Sequence, residues 1–175
     1  MPLNRQEFFS LYINVVAEHM CYKGKHGVQL MPGMVEFFFL LFADDVVLVS
    51  TTPTGLQNQI NNLVHVSNSL SLKVNADKTK IMVFRKGGHH AKGEKWFLEG
   101  TKLEIVNKYK YLGFVFTTRL SLDSTVEDFC TKGKQKTMHI LKVTWRLRCL
   151  KPDVFFKMLD SQVIPTLLYS AEIWD

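Results

Sequence analysis

Two apolar runs meet at an acidic break in this chain. Val35, Phe37, Phe38, Phe39, Leu40 and Leu41 lead into Phe42-Ala43-Asp44-Asp45, and Val46, Val47, Leu48 and Val49 lead out. Short apolar runs on either side of a polar break predict a β-hairpin with adjacent carboxylates at its tip. Its arms are apolar nearly throughout, so both faces are expected to be covered. Two like charges about 4 Å apart repel by roughly 4 kcal/mol at an effective dielectric near 20. Water at the tip lowers that cost, and a divalent cation reverses it. Mg²⁺ takes carboxylates and water and bridges phosphates, so the tip is a candidate metal site for phosphoryl chemistry. Asp is also a favoured turn residue, so an ordinary turn explains the pattern as well.

Helical and extended segments alternate around this hairpin, which predicts an α+β fold. Positions 7–19 read as a helix with Phe8, Leu11, Tyr12, Val15, Val16 and His19 near one face. Thr54-Gly55-Leu56-Gln57 has the form of a capping box and opens a helix reaching about Ser71. Leu56, Ile60, Leu63, Val64 and Leu70 mark its buried stripe; Gln57, Asn58, Gln59, Asn61 and Asn62 mark a solvent face. Extended segments follow at 80–84, at 96–98 and 103–105 around a turn at Glu99-Gly100, and at 109–116. The period then changes. Ser124-Thr125-Val126-Glu127 is a second capping-box form, and Val126, Phe129, Cys130, Met138, Leu141 and Trp145 suit a long helix weakened by Gly133. Phe129, Leu141 and Trp145 are expected in its core. Lys151-Pro152-Asp153 starts another helix, and Pro165 kinks or ends it. The change of character at 117–120 divides a mixed region, 1–118, from a helical one, 119–175.

Composition narrows the classes. At 175 residues, 46% of them apolar, the chain can bury a core rather than remain disordered. The net charge is +6, with basic residues clustered at 23–25, 78–86, 108–110 and 132–151. Basic segments on both sides of an acidic hairpin suit a phosphate backbone, although a soluble surface explains them too. Three widely spaced cysteines, Cys21, Cys130 and Cys149, argue against a disulfide framework and for a reducing compartment. His19 with Cys21, and His89-His90, lack a second ligand pair at zinc spacing. The start has no signal-peptide pattern, and the longest apolar run is too short to span a membrane, so an intracellular chain, nuclear or cytoplasmic, is expected.

Five segments resemble one family in order. Phe42-Ala43-Asp44-Asp45 resembles the aromatic-x-Asp-Asp box of reverse transcriptases. Phe8-Phe9-Ser10-Leu11-Tyr12-Ile13-Asn14 is similar to the helix after the family's template-gripping motif. The segment Leu70 to Lys80 is similar to its next palm motif, and Tyr109-Lys110-Tyr111-Leu112-Gly113 to its primer-grip hairpin. Pro165 to Trp174 is similar to the segment after the thumb in retrotransposons lacking long terminal repeats, the LINE-like elements. The resemblance implies a partial polymerase palm, an antiparallel sheet with packed helices, followed by an α-helical thumb. It implies RNA-templated DNA synthesis through two metal ions, Mg²⁺ or Mn²⁺, in a complete palm, with an RNA template, a DNA primer and deoxynucleoside triphosphates as partners.

Carried over residue by residue, Asp44 and Asp45 become metal ligands, with Asp44 the firmer of the two. Phe42 packs beneath the hairpin, and Ala43 lets the backbone lie close to the primer end. Lys78 neutralises triphosphate charge or protonates pyrophosphate. Tyr111, Leu112 and Gly113 hold the primer end, and Lys134, Lys142 and Arg146 follow the duplex phosphates. For several of these the ordinary reading stays open: hairpin packing for Phe42 and Ala43, a solvated lysine for Lys78, a glycine bulge at Gly113. The family's first metal-binding aspartate and its fingers have no counterpart before Phe8. A palm and thumb fragment, inactive on its own, is therefore expected. The alternatives are a non-catalytic nucleic-acid-binding module and a decayed retrotransposon reading frame.

Overall fold

A computed structural model describes residues 13–20, 27–29, 31, 33, 36–85, 94–146, 148 and 151–171. The chain is mixed α and β and divides into two compact units, Met1–Ile81 with His89–Ile105, and Met82–Gly88 with Val106–Asp175.

In the first unit, helix α1 is seen over 13–20, and the face it buries carries Ile13, Val16 and Met20. This corrects the expected face, since Val15 and His19 are exposed. Strands β1 (Phe39–Phe42) and β2 (Asp45–Leu48) form the antiparallel hairpin, with Phe39 opposite Leu48 and Phe42 opposite Asp45. Side chains alternate along a strand, so Phe39, Leu41, Val46 and Leu48 share one face, and Leu40, Phe42, Asp45 and Val47 share the other. The first face packs on a core of Val16, Met20, Leu63 and Val66. On the second, Leu40 and Phe42 are exposed. The expectation that both faces are covered is thus corrected: an unbroken apolar run does not reveal which face finds a partner.

Helix α2 (Pro53–Ser69) is capped two residues before the expected cap, Thr54. Thr52 is the N-cap, Pro53 opens the first turn, and Thr52 Oγ1 accepts from the Gly55 amide at 3.1 Å. The helix ends in a Schellman arrangement, with Leu72 N donating to Ser67 O and Ser71 N to Asn68 O, and Ser71 in the left-handed region at φ 57. Its polar residues are not all solvated. Gln59 is buried and donates to Val49 O at 3.1 Å. Gln57 accepts from Phe97 N at 2.9 Å and donates to Phe97 O at 2.8 Å.

The rest of this unit is short strands. β3 (Lys80–Ile81) pairs in parallel with β6 (Glu104–Ile105), and β4 (Phe97–Leu98) pairs with β5 (Thr101–Lys102) across the predicted Glu99-Gly100 turn. Only two residues of the expected 80–84 strand are paired.

In the second unit, the expected single strand over 109–116 is instead a hairpin: β7 (Lys108–Tyr111) and β8 (Phe114–Thr117), joined by Leu112-Gly113. Leu112 at φ 47 and Gly113 at φ 85 both lie in the left-handed region, the geometry of a type I′ turn. Helix α3 (Asp123–Arg146) follows, starting before the expected capping box, so Thr125 falls inside it. α4 (Pro152–Met158) continues through a π turn (Leu159–Val163) into α5 (Ile164–Leu167). Pro165, which has no amide hydrogen, is carried in the first turn of α5. The wider π turn lies just ahead of it, so the helical path continues past the proline.

The buried face of α3 is Thr125, Phe129, Gly133, Ile140 and Thr144, a 3.6-residue stripe. Thr125 Oγ1 donates to Val115 O at 2.7 Å, and Thr144 Oγ1 to Ile140 O at 2.9 Å, so both hydroxyls are satisfied. Gly133 is a point of close approach. A methyl there would stand 2.7 Å from Leu167 Cδ2. Alanine regains about 1 kcal/mol of helix propensity, and Leu167, partly exposed, can swing aside. Gly133→Ala is therefore expected to be near neutral. Gly133→Val has no such escape and is expected to lower stability by about 1–3 kcal/mol, read as a shift in denaturant midpoint.

Asp128 ties α3 to β7. Its carboxylate meets Lys132 Nζ at 2.6 Å and Lys110 Nζ at 3.0 Å. The hydrogen bond from Lys132, then that from Lys110, hold the Asp128 carboxyl below its ordinary 3.8. A depressed carboxylate stabilises the fold above its unfolded value, and that contribution disappears as pH falls through the folded value. The tie is expected to weaken progressively below pH 3.8, and Asp128→Asn to flatten that part of the acid dependence in pH-resolved unfolding.

Candidate functional site

The acidic pair sits where β1 turns into β2. Asp45 is the first residue of β2 and pairs with Phe42, so the turn itself is Ala43-Asp44. Ala43 takes φ 52, a left-handed conformation that costs a non-glycine residue about 1–2 kcal/mol. Asp45 lies on the open face of the hairpin beside Phe42 and Leu40, and Asp44 stands at the tip. Both aspartates and Ala43 are exposed. Phe42 is 58% exposed, which corrects the expectation that it packs beneath the hairpin. A two-stranded hairpin packed on one side only has no floor for it.

Two neighbouring carboxylates are a partial donor set. Among the described residues, no group of three His, Cys, Asp or Glu side chains converges on a point where a metal ion could be held. Mg²⁺ commonly takes only one or two carboxylates and completes its shell with water and substrate phosphates. The tip fits Mg²⁺ to that extent, through Asp44 and Asp45, and does not form a closed site.

Lys78 is exposed at the end of a turn built by Asn75. Asn75 Oδ1 accepts from Asp77 N at 3.0 Å and Lys78 N at 3.2 Å, and Asn75 O accepts from Thr79 Oγ1 at 2.7 Å. Such an Asx turn is what Asn supplies before a strand. Among the described residues, no hydrogen bond joins Lys78 to the acidic tip.

In the second unit, Tyr111, Leu112 and Gly113 stand together at the β7–β8 turn, Tyr111 half-buried and Leu112 exposed. The α3 cations separate into two sets. Lys132 is bound to Asp128 and lies 5.4 Å over the Phe129 ring. Lys136 donates to Thr166 Oγ1 at 2.6 Å and Gln162 O at 3.3 Å. These two hold the fold. Lys134, Lys142 and Arg146 are exposed, and Lys134 and Lys142 line a shallow depression with Gln135, Met138 and His139.

The exposed side of α3 also carries Met138, Leu141 and Trp145, the last 78% exposed. This corrects the expected core: Phe129 is buried, but Leu141 and Trp145 are not. α3 presents apolar residues on two opposite sides. Packing against β8 and α5 selects the side whose threonines and glycine permit close contact. Apolar counting passes over that side, because Thr125, Gly133 and Thr144 do not register as hydrophobic. A count of small residues at 3.6 spacing would have found it.

Residues 8–116 match the model of the family described as Reverse transcriptase (RNA-dependent DNA polymerase). The chain belongs to the reverse transcriptase family. The matched region contains the β1–β2 hairpin and α2 and ends within β8. This reverse transcriptase chain is also similar to an uncharacterized transposon-derived protein of Caenorhabditis elegans, at 25% identity over 145 residues, 77% of this chain. It spans about half, 48%, of that relative's length. No solved structure matches. Among the described residues, no helix is long and apolar enough to cross a membrane. The expectations placed on Phe8 to Tyr12, Cys21, His89-His90, Cys149 and Trp174 lie outside the described residues.

Proposed function

We propose that this chain is the palm and thumb part of a LINE-like reverse transcriptase and binds a template–primer duplex. The observation that carries the reading is the tip itself: within the family-matched region, Asp44 and Asp45 are adjacent, exposed and unencumbered by packing at a two-residue turn. The turn residue Asp44 and the strand-end residue Asp45 would hold Mg²⁺ or Mn²⁺, which when bound neutralises phosphate charge. Tyr111, Leu112 and Gly113 contact the primer end, Lys78 faces triphosphate, and Lys134, Lys142 and Arg146 follow the duplex backbone without reading sequence. The substrates are an RNA template, a DNA primer and deoxynucleoside triphosphates.

With no third ligand joining the two neighbouring carboxylates among the described residues, catalysis by this chain alone is expected to be absent, because groups that act as a unit lose most of the rate when one is missing. The test is primer extension by the purified chain with Mg²⁺ or Mn²⁺, run beside a binding titration against salt. The expected result is salt-dependent duplex binding without extension. Templated incorporation would overturn the inactivity, and absence of binding would overturn the polymerase reading. Asp44→Ala is expected to leave binding intact or strengthen it, since it removes a negative charge near phosphates.

A further inference from the structure

The β7–β8 turn is held from outside by a residue 57 positions away. Tyr169 Oη donates to Leu112 O at 2.8 Å. The same ring lies against Gly113, where an added methyl would come 3.2 Å from Tyr169 Cε1. Its edge meets the Phe129 ring of α3 at 5.8 Å between centroids and an interplanar angle of 83°. The turn needs such support. Type I′ turns favour Asn or Gly at the first central position, and here that position is Leu112 at φ 47, where a bulky side chain is strained. A strained, exposed apolar residue persists at a turn only where its surroundings over-determine it. Tyr169 supplies that constraint at both central residues: a hydrogen bond to the first and a ring beside the second.

We propose that Tyr169 is a positioning residue that clamps the Leu112-Gly113 turn, so that the turn presents a fixed surface to the recessed end of a template–primer duplex. The proposal rests on the reading of β7–β8 as a primer contact. Tyr169 touches no nucleic acid in this scheme and acts through Leu112. Glycine at 113 is favoured twice over, by its positive φ and by the ring that an added methyl would press on.

The test uses two readouts on the full chain and on Tyr169→Phe, which keeps the ring contacts and loses the hydroxyl. The first is hydrogen exchange at the 112–114 amides. The second is the affinity ratio between an RNA–DNA duplex with a recessed DNA 3′ end and a blunt duplex of equal length. Tyr169→Phe is expected to speed exchange at the turn about two- to tenfold, matching the loss of one hydrogen bond, and to lower the affinity ratio by a similar factor with blunt-duplex affinity unchanged. Adding Leu112→Asn, which relieves the left-handed strain, is expected to slow exchange at the turn back toward the wild-type rate. Unchanged exchange in Tyr169→Phe overturns the clamp. Faster exchange with an unchanged ratio overturns its role in positioning. A wild-type chain that binds both duplexes alike removes the primer-contact reading, and the proposal with it.

Discussion

Replacing Lys134, Lys142 and Arg146 together by alanine is expected to weaken binding to a template–primer duplex about ten- to a hundredfold near 0.1 M salt, and to reduce the slope of log K against log salt by up to roughly 2.7. The size of the effect follows from which cations are free to act. These three side chains are exposed, whereas Lys132 and Lys136 are bound to Asp128 and to Thr166 and Gln162. The converse substitution, Lys132 and Lys136 to alanine, is expected to leave the salt slope nearly intact and to cost stability. An unaltered slope in the triple variant would remove α3 from the nucleic-acid interface. Trp145→Ala separates a second contribution. The residue is 78% exposed, so its loss is expected to leave stability unchanged. If bases stack on it, affinity falls with no change in slope, because stacking releases no counterions.

Trp96→Ala is expected to destabilise the first unit by about 3–5 kcal/mol, the range for removing a large aromatic from a packed core. Trp96 is 3% exposed. Its indole Nε1 donates to Pro53 O at 3.0 Å, at the first turn of α2, and its own carbonyl accepts from Leu103 N at 2.9 Å. It therefore joins the start of α2 to the strands that flank Glu99-Gly100. Trp96→Phe keeps most of the burial, loses the indole donor, and is expected to cost about 1 kcal/mol from the hydrogen bond in addition to a small packing loss. Denaturant midpoints of the two variants check both figures. Equal midpoints for wild type and Trp96→Ala would mean that the ring is not part of the core.

The acidic hairpin was legible in the sequence because its two signals are local: apolar runs of strand length and a short polar break. What sequence pattern could not reveal depends on partners distant along the chain. Which face of β1–β2 is covered follows from where α1 and α2 pack. The cap of α2 moved to Thr52 because Pro53 is preorganised for the first helical turn, and the capping-box pattern two residues on competes with it and loses. On α3, the apolar pattern pointed to Leu141 and Trp145, but close packing chose a stripe of threonine and glycine. Of the candidate site residues, Asp44 and Asp45 come together at one turn, and Tyr111, Leu112 and Gly113 at another. Tyr169, which braces the second turn, carries no sequence signal for that contact.

The grip of Gln57 on both backbone atoms of Phe97 has a consequence beyond local order. One glutamine amide, with its carbonyl and NH₂ side by side, reproduces the paired donor and acceptor that an adjacent strand would offer. The free side of a two-residue ribbon is thereby occupied by a helix, and self-association along that edge is blocked without any charged gatekeeper. Exchanging the NH₂ for a second oxygen, as in Gln57→Glu, would set a carboxylate against the Phe97 carbonyl and leave a sticky border open to a neighbouring molecule.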